Sequence, residues 1–305
     1  MTELEEKIFE LYKQGISLDK IQKQLSVPGP MFLNALKNIR YLFDMPSNYY
    51  SDGRIIYNPS KDRKEDQRII QKGDSLHVLL YSDLHAGNKK DNLQLLDLIY
   101  DHATKENIHI LLNLGDVIEN TYSLPERCLR RTTVEGQIEY LLRHFPYDSS
   151  ITNFILYGNH DHHALTDQGI DVAKIIEEER PDLVSLGYGK ANINVRNSFI
   201  TLQHNLNNRK VPIPEDAYIV FRGHSHKMKI DMRKDPPVIL VPSLSDAIPE
   251  NYTHTPIPGF LDATFTFDKE GEFDKLYLTA FDTDVKKRQT VECVLTLKKT
   301  IDKKN

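Results

Sequence analysis

Five short segments hold the residues able to do chemistry: Asp83-Leu84-His85, Gly115-Asp116, Gly158-Asn159-His160-Asp161, the lone His204, and Gly223-His224-Ser225-His226. They offer carboxylate, imidazole and amide donors, a mixture that favours transition metals over calcium. Two divalent ions about 3.5 to 4 Å apart can clamp the attacking and leaving oxygens of an in-line displacement, so hydrolysis of a phosphate ester is the reaction this set implies. One ligand must serve both ions. Asp116 is the natural bridge, because a carboxylate turns one oxygen to each metal, and Gly115 beside it allows close backbone approach. The two-residue spacings Asp83/His85 and His224/His226 predict extended segments whose paired side chains share a face.

These residues need elements to position them. His77 to Ser82, Ile108 to Leu114 and Thr152 to Tyr157 are β-branched or Leu-rich runs of strand length, each ending at one of the segments. Between the first two, Asn92 to Lys105 places Leu93, Leu95, Leu96, Ile99 and Ala103 on one helical stripe. Strand, helix, strand predicts a parallel sheet, and ligands bind in the crevice outside the carboxyl ends of such strands. Further strands are expected at Ala191 to Val195, Phe199 to Gln203, Tyr218 to Arg222, Val238 to Val241 and Leu261 to Phe267.

The ordered set D-x-H, G-D, G-N-H-D, H, G-H-x-H resembles the calcineurin-like metallophosphoesterase family over roughly Leu76 to Pro242. That resemblance implies an α/β fold of two packed β-sheets flanked by helices, with the strand runs from Ala191 to Phe267 in the second sheet. It implies that Asp83, His85, Asp116 and His226 hold one metal and Asp116, Asn159, His204 and His224 the other, with manganese preferred and iron, zinc or nickel also compatible. His160 would assist departure of the leaving group after attack by a metal-bridging hydroxide, and Asp161 would orient His160 by hydrogen bonding. One departure stands: the family often has Gly after the lone histidine, where this chain has Asn205.

Elsewhere the chemistry is thinner. Arg127, Arg130 and Arg131 follow Asp116 closely enough to grip a substrate phosphate, since the guanidinium fork matches phosphate oxygens. A solvated helix face is the competing reading. His162 and His163 read as solvated loop residues, and His77, His102, His109, His144 and His254 as structural. The proline-rich stretch from Pro242 to Pro258, with Asp246 and Tyr252, reads as an irregular wall of the pocket.

The 305 residues suit one large domain and one small. Residues 1–45 read as a separate three-helix unit: Leu4, Ile8, Leu11 and Tyr12 are spaced for one helix, Leu18, Ile21 and Leu25 for a second, and Pro30 to Leu42 for a third. The string from Gly15 through Val27 resembles a resolvase-type helix-turn-helix, which implies that Asn34, Lys37, Asn38 and Arg40 face a nucleic-acid groove. Six basic and six acidic residues leave that unit neutral, so a protein-docking module is the alternative. Residues 46–72 read as an exposed linker in which Arg54 to Tyr57 could add a short strand, 73–297 as the metallophosphoesterase domain and 298–305 as a charged tail.

The net charge of −5 supplies no global attraction to nucleic acid. Cys128 and Cys293 are too few for a disulfide framework, and the acidic start of the chain argues against a signal peptide, so a cytoplasmic setting is expected. The expected activity is hydrolysis of a nucleic-acid phosphodiester. A phosphomonoesterase or small-nucleotide phosphodiesterase, and a non-catalytic DNA-binding regulator, are the alternatives.

Overall fold

In the computed structural model, the described residues are 2–14, 16, 18–29, 31–32, 35, 50–51, 55–57, 66–71, 73–120, 124–206, 211–214, 217–231, 234, 236–246, 258–282 and 290–297. The chain runs α1 (Glu3–Lys13), α2 (Leu18–Leu25), β1 (Tyr50–Ser51), β2 (Ile55–Tyr57), β3 (Asp66–Gln71), β4 (Ser75–Tyr81), α3 (Leu95–Lys105), β5 (Ile110–Asn113), α4 (Val134–His144), β6 (Thr152–Tyr157), α5 (Asn159–Gln168), α6 (Val172–Glu179), β7 (Leu183–Tyr188), β8 (Lys190–Val195), β9 (Ser198–Gln203), β10 (Val220–Arg222), β11 (Lys229–Asp231), β12 (Val238–Leu240), β13 (Gly259–Phe267), β14 (Phe273–Asp282) and β15 (Thr290–Thr296).

The strands form two mixed sheets, flanked by helices as expected. One has the order β15-β14-β13-β4-β5-β6-β7, the other β1-β2-β3-β8-β9-β10-β12-β11. In the first, β4 to β7 are parallel neighbours, and β13 to β15 extend the sheet antiparallel from β4, so the run from Leu261 to Phe267 joins this sheet rather than the second. Strand β4 shows why this sheet is apolar on both faces. Val78 and Leu80 point into the core between the sheets with Leu112, Phe154, Ile193, Ile200 and Phe221. Leu79 and Tyr81, one residue out of step, face the helices and pack with Leu96, Ile99, Ile138, Leu141 and Ile176. Each such side chain contributes roughly 1.5–3 kcal/mol by leaving water.

The expected stripe on α3 is buried against that face, although the helix starts at Leu95 rather than Asn92. The amides of Leu95 and Leu96 bond back three residues, to the carbonyls of Asn92 and Leu93, so the entry is a tight turn. Residues 50–71, within the stretch read as a linker, supply β1 to β3. Strand β3 pairs parallel with β8 through its backbone, so the polar sequence Asp66-Gln67-Arg68 carries no alternation that betrays it.

At the N-terminus, Ile8, Ile21, Phe32 and Ala35 make a small separate cluster with Leu4, Leu11 and Leu25 packed on it. Asn34, Lys37, Asn38 and Arg40 lie outside the described residues, as do Tyr122, Tyr252 and His254. Among the described residues, no helix is long and apolar enough to cross a membrane.

Candidate metal centre

All five segments sit just past strand ends on one rim of the two sheets: Asp83 and His85 after β4, Asp116 after β5, Asn159 and His160 after β6, His204 after β9, and His224 and His226 after β10. The paired ligands are not on extended backbone. Asp83 (φ 56°), His85 (φ 49°), His224 (φ 70°) and His226 (φ 52°) all occupy the left-handed region, as does Asp116 (φ 53°). Each claw is a chain of tight reversals, and such conformations in non-glycine residues cost of order 1–3 kcal/mol each. Backbone bonds hold the reversals in place: Asp83 N–H donates to Gly115 O at 2.9 Å and His85 N–H to Asp116 O at 3.0 Å. The Asp83 turn is pinned from the other side by Ser243, whose hydroxyl donates to Asp83 O at 3.0 Å.

Two donor groups result. In the first, His85 Nε2 lies 3.1 Å from His226 Nε2, Asp83 Oδ1 lies 3.4 Å from His226 Nε2 and 3.9 Å from His85 Nε2, and Asp116 Oδ2 is 3.9 Å from His85 Nε2. In the second, Asp116 Oδ2 is 3.0 Å from His204 Nε2, and Asn159 Oδ1 is 3.3 Å from His204 Nε2 and 2.8 Å from His224 Nδ1. One oxygen of Asp116, Oδ2, faces both groups, rather than one oxygen facing each as the sequence suggested, because Oδ1 accepts the His160 N–H at 2.9 Å.

Donors about 2.1 Å from one tetrahedral ion stand about 3.4 Å apart, so both groups have the spacing of a ligand shell. Three further observations fit a cation. Asp83 Oδ1 is buried and meets no hydrogen-bond donor of ordinary geometry. His85 Nδ1 lies 2.9 Å from the Glu119 carboxylate, a charge contact that favours the proton on Nδ1 and the lone pair on Nε2. His204 Nδ1 donates to Leu114 O at 2.5 Å, with the same consequence. Three glycines clear the ground: a Cβ on Gly115 would stand 2.6 Å from His204 Nδ1, one on Gly158 2.6 Å from His204 Nε2, and one on Gly223 2.9 Å from His204 Nδ1.

The charges are tightly coupled. Burial works to raise the Asp83 carboxyl, but the facing His226 imidazole outweighs it and holds Asp83 at about 2. Burial works to lower His204, and the Asp116 carboxylate reverses this, to about 9.

His160 stands beside the first group, its ring 4.6 Å from that of His85 and edge-on to it. Its orientation does not come from Asp161, as the sequence suggested. The fully buried Asp161 carboxylate accepts backbone N–H groups from Gly158 (2.8 Å), Val117 (3.1 Å) and Ile118 (3.1 Å), stapling the β5 loop to the start of α5. Burial first and the charge of Asp116 second push its pKa to about 7. The group that fixes His160 is Glu119, whose carbonyl accepts from His160 Nδ1 at 2.5 Å. The Glu119 carboxylate, 3% exposed across the residue, accepts the Asn88 amide at 3.0 Å and lies 2.9 Å from His85 Nδ1. Sequence reasoning missed Glu119. Its only signal was an acid three residues beyond Asp116 in the same turn.

Other candidates lie elsewhere. Arg130 pairs with Asp91 at 3.4 Å, and Arg130 and Arg131 stand over the Tyr140 ring, 5.7 and 5.3 Å from its centroid. Arg127 is exposed on a one-turn 3-10 helix at Glu126–Cys128. His162 and His163 belong to α5 rather than a loop, and both are half-buried. His163 pairs with Asp167 at 3.2 Å.

A family model described as calcineurin-like phosphoesterase matches residues 76–228, which is half of the chain. The chain belongs to that family. Among solved structures, it is similar to Vps29 from Cryptosporidium parvum (15% identity, 73% of this chain and 100% of that one, TM-score 0.44). It is also similar to zinc-complexed Vps29 from Entamoeba histolytica (14%, 72% and 99%, TM-score 0.43). A third likeness is to the nuclease MPE of Pseudomonas putida (14%, 72% and 91%, TM-score 0.32). No curated protein matches the chain. As a calcineurin-like phosphoesterase, the molecule carries the family's ordered motifs on one sheet rim, with candidate ligand clusters at Asp83/His85/His226 and Asp116/His204/His224.

Proposed function

We propose that this phosphoesterase is a dinuclear metal-dependent phosphodiesterase whose substrate is nucleic acid. The observation that carries the reading is the shared Asp116 oxygen, 3.0 Å from His204 Nε2 in one donor group and 3.9 Å from His85 Nε2 in the other. Asp83, His85, Asp116 and His226 would hold one ion, and Asp116, Asn159, His204 and His224 the other; manganese is the ion the resemblance prefers, and the imidazoles also suit iron, zinc or nickel. Ions held there supply positive charge at the reacting phosphate and acidify a water.

The chain's own residues do the rest. Glu119 aligns His85 through Nδ1 and so fixes the nitrogen offered to the ion. The Glu119 carbonyl holds His160 Nδ1, so the proton His160 can pass to a leaving oxygen is on Nε2. Burial lowers the His160 pKa, but the charges of Asp116 and Glu119 overcome this and raise it above the ordinary value in the metal-free site. A proton donor of this kind suits an alkoxide leaving group, as in a sugar-phosphate diester.

The test uses the purified protein with manganese, assayed side by side on single-stranded DNA, duplex DNA, RNA, a cyclic dinucleotide and p-nitrophenyl phosphate. Polynucleotide turnover that is abolished by EDTA and exceeds monoester turnover at least tenfold is the expected result. A monoester preference, or activity indifferent to chelation, would overturn the proposal.

A further inference from the structure

The loop that follows His85 and the segment that follows β5 are joined into one ledge beside the metal centre. Lys89 N–H donates to Cys128 O at 2.9 Å and Arg130 N–H to Gly87 O at 2.6 Å, and Asn88 and Leu129 form an isolated antiparallel bridge. The ledge is anchored to the site through Asn88, whose amide donates to the same Glu119 oxygen that holds His85. Lys89 lies four residues beyond His85, so its Cα is within about 14 Å of the ligand's.

Residues 86–91 and 125–131 carry Lys89, Lys90, Arg127, Arg130 and Arg131, all exposed. Their acids are Asp91 and Glu126. The Asp91 side chain is 2% exposed and is spent on Arg130, the Tyr140 hydroxyl and the Gly87 amide. Within the two segments that leaves Glu126 as the exposed acid against five cations, with Asp246, exposed and bonded through its amide to Lys90 O at 3.1 Å, at their border. Two of the cations are tethered, since Arg130 and Arg131 rest over Tyr140. Lys89, Lys90 and Arg127 have no ion-pair partner among the described residues. On a chain of net charge −5, this is a local concentration of positive charge in which Lys89, Lys90 and Arg127 form no ion pair among the described residues.

We infer that this two-loop ledge is a docking surface for the sugar-phosphate backbone of a single nucleic-acid strand, running outward from the metal centre across Lys89, Lys90 and Arg127. The inference rests on the phosphodiesterase reading and adds where the remainder of the polymer lies. Lysines and arginines at a surface neutralise phosphates without reading bases, so the ledge is indifferent to sequence. Its contribution is electrostatic, and for single strands the logarithm of affinity falls with the logarithm of salt by about 0.7 per phosphate neutralised.

The experiment compares the full-length protein with Lys89→Glu/Lys90→Glu/Arg127→Glu and with a remote charge control, Lys105→Glu/Lys269→Glu/Lys275→Glu. Binding is read by fluorescence anisotropy on a phosphorothioate single strand over a salt series, and turnover as the ratio of oligonucleotide kcat/KM to that for bis(p-nitrophenyl) phosphate. The ledge variant should bind at least tenfold more weakly, lose about 2 from the salt slope, and show a lowered ratio; the control should match wild type in all three. The neutral Lys89→Ala/Lys90→Ala/Arg127→Ala variant should fall between. An unchanged slope and ratio, or equal losses in the control, would overturn the ledge. So would a polyglutamate peptide of matched charge binding as tightly as the strand. If wild type cleaves neither substrate, the phosphodiesterase reading fails by itself, and the anisotropy still decides whether a strand binds here.

Discussion

His77, Asp262 and His102 form a cluster of two imidazoles and one carboxylate on the helix-covered side of the seven-stranded sheet, the same residue types that meet at Asp83, His85 and His226. In the outer cluster each carboxylate oxygen has its own partner, His77 Nε2 at 2.6 Å and His102 Nε2 at 2.8 Å. The His102 ring packs on Phe260 and Phe281, with centroids 5.5 and 4.9 Å away, and none of the three residues has positive φ. At the rim, by contrast, Asp83 Oδ1 stays 3.4 to 3.9 Å from both imidazoles, two nitrogens face each other, and the backbone is left-handed at every ligand of that group. The outer cluster closes on itself, whereas the donors of the rim cluster converge at the spacing that a metal ion would need. Residue type does not make a ligand set. Unmet convergence held by a left-handed backbone is what marks the rim cluster as the candidate.

The sharpest way to break this contrast is Asp116→Asn. It should lower bound metal below two equivalents and reduce turnover roughly 10³-fold or more, read by elemental analysis and rate together; two full equivalents would remove Asp116 as the bridge. Next in size is His160→Ala, expected to keep its metal while turnover falls roughly 10²-fold. Undiminished turnover would take His160 out of the chemistry.

Glu119→Gln tests the support beneath both. It should weaken metal affinity roughly 10- to 100-fold, measured by competition with a chelating dye, and an affinity equal to wild type would show that His85 needs no such partner.

The smallest effect belongs to the outer cluster. Burial works to raise the Asp262 carboxyl, but hydrogen bonds from His77 and His102 outweigh it and hold it below the ordinary range. A depressed carboxyl stabilises the fold above its unfolded pKa, about 3.9, and that stability is lost as pH falls through the folded value. Asp262→Asn should therefore cost about 1 kcal/mol at pH 7, dwindling toward pH 3 in urea melts, with metal content and turnover as in wild type. Loss of metal in this variant would erase the distinction between the two clusters.

Much of the rim was legible because each motif ends an apolar run: His77 to Ser82 before Asp83, Ile108 to Leu114 before Asp116, Thr152 to Tyr157 before Asn159. The helices past Gly158 and Asp171 were less visible. Helix α5 opens on the motif's own Asn159-His160-Asp161, whose polarity hides its period. Strands β14 and β15 were missed because alternate positions such as Tyr277 and Val294 remain exposed, at 44% and 58%, and blur the apolar pattern.

The amino-acid sequence alone determined which donors the chain possesses, their order, and which strand end each one follows, because strand periodicity and the types of donor are local properties. Only the tertiary structure decided that Asp83 and His85 project from left-handed turns rather than a strand, that Asp161 staples two loops, and that Glu119 links His85 to His160. Those roles depend on which backbone amides and carbonyls arrive from elsewhere in the chain, such as Gly115 O at Asp83 N–H, and no spacing within a single segment encodes that.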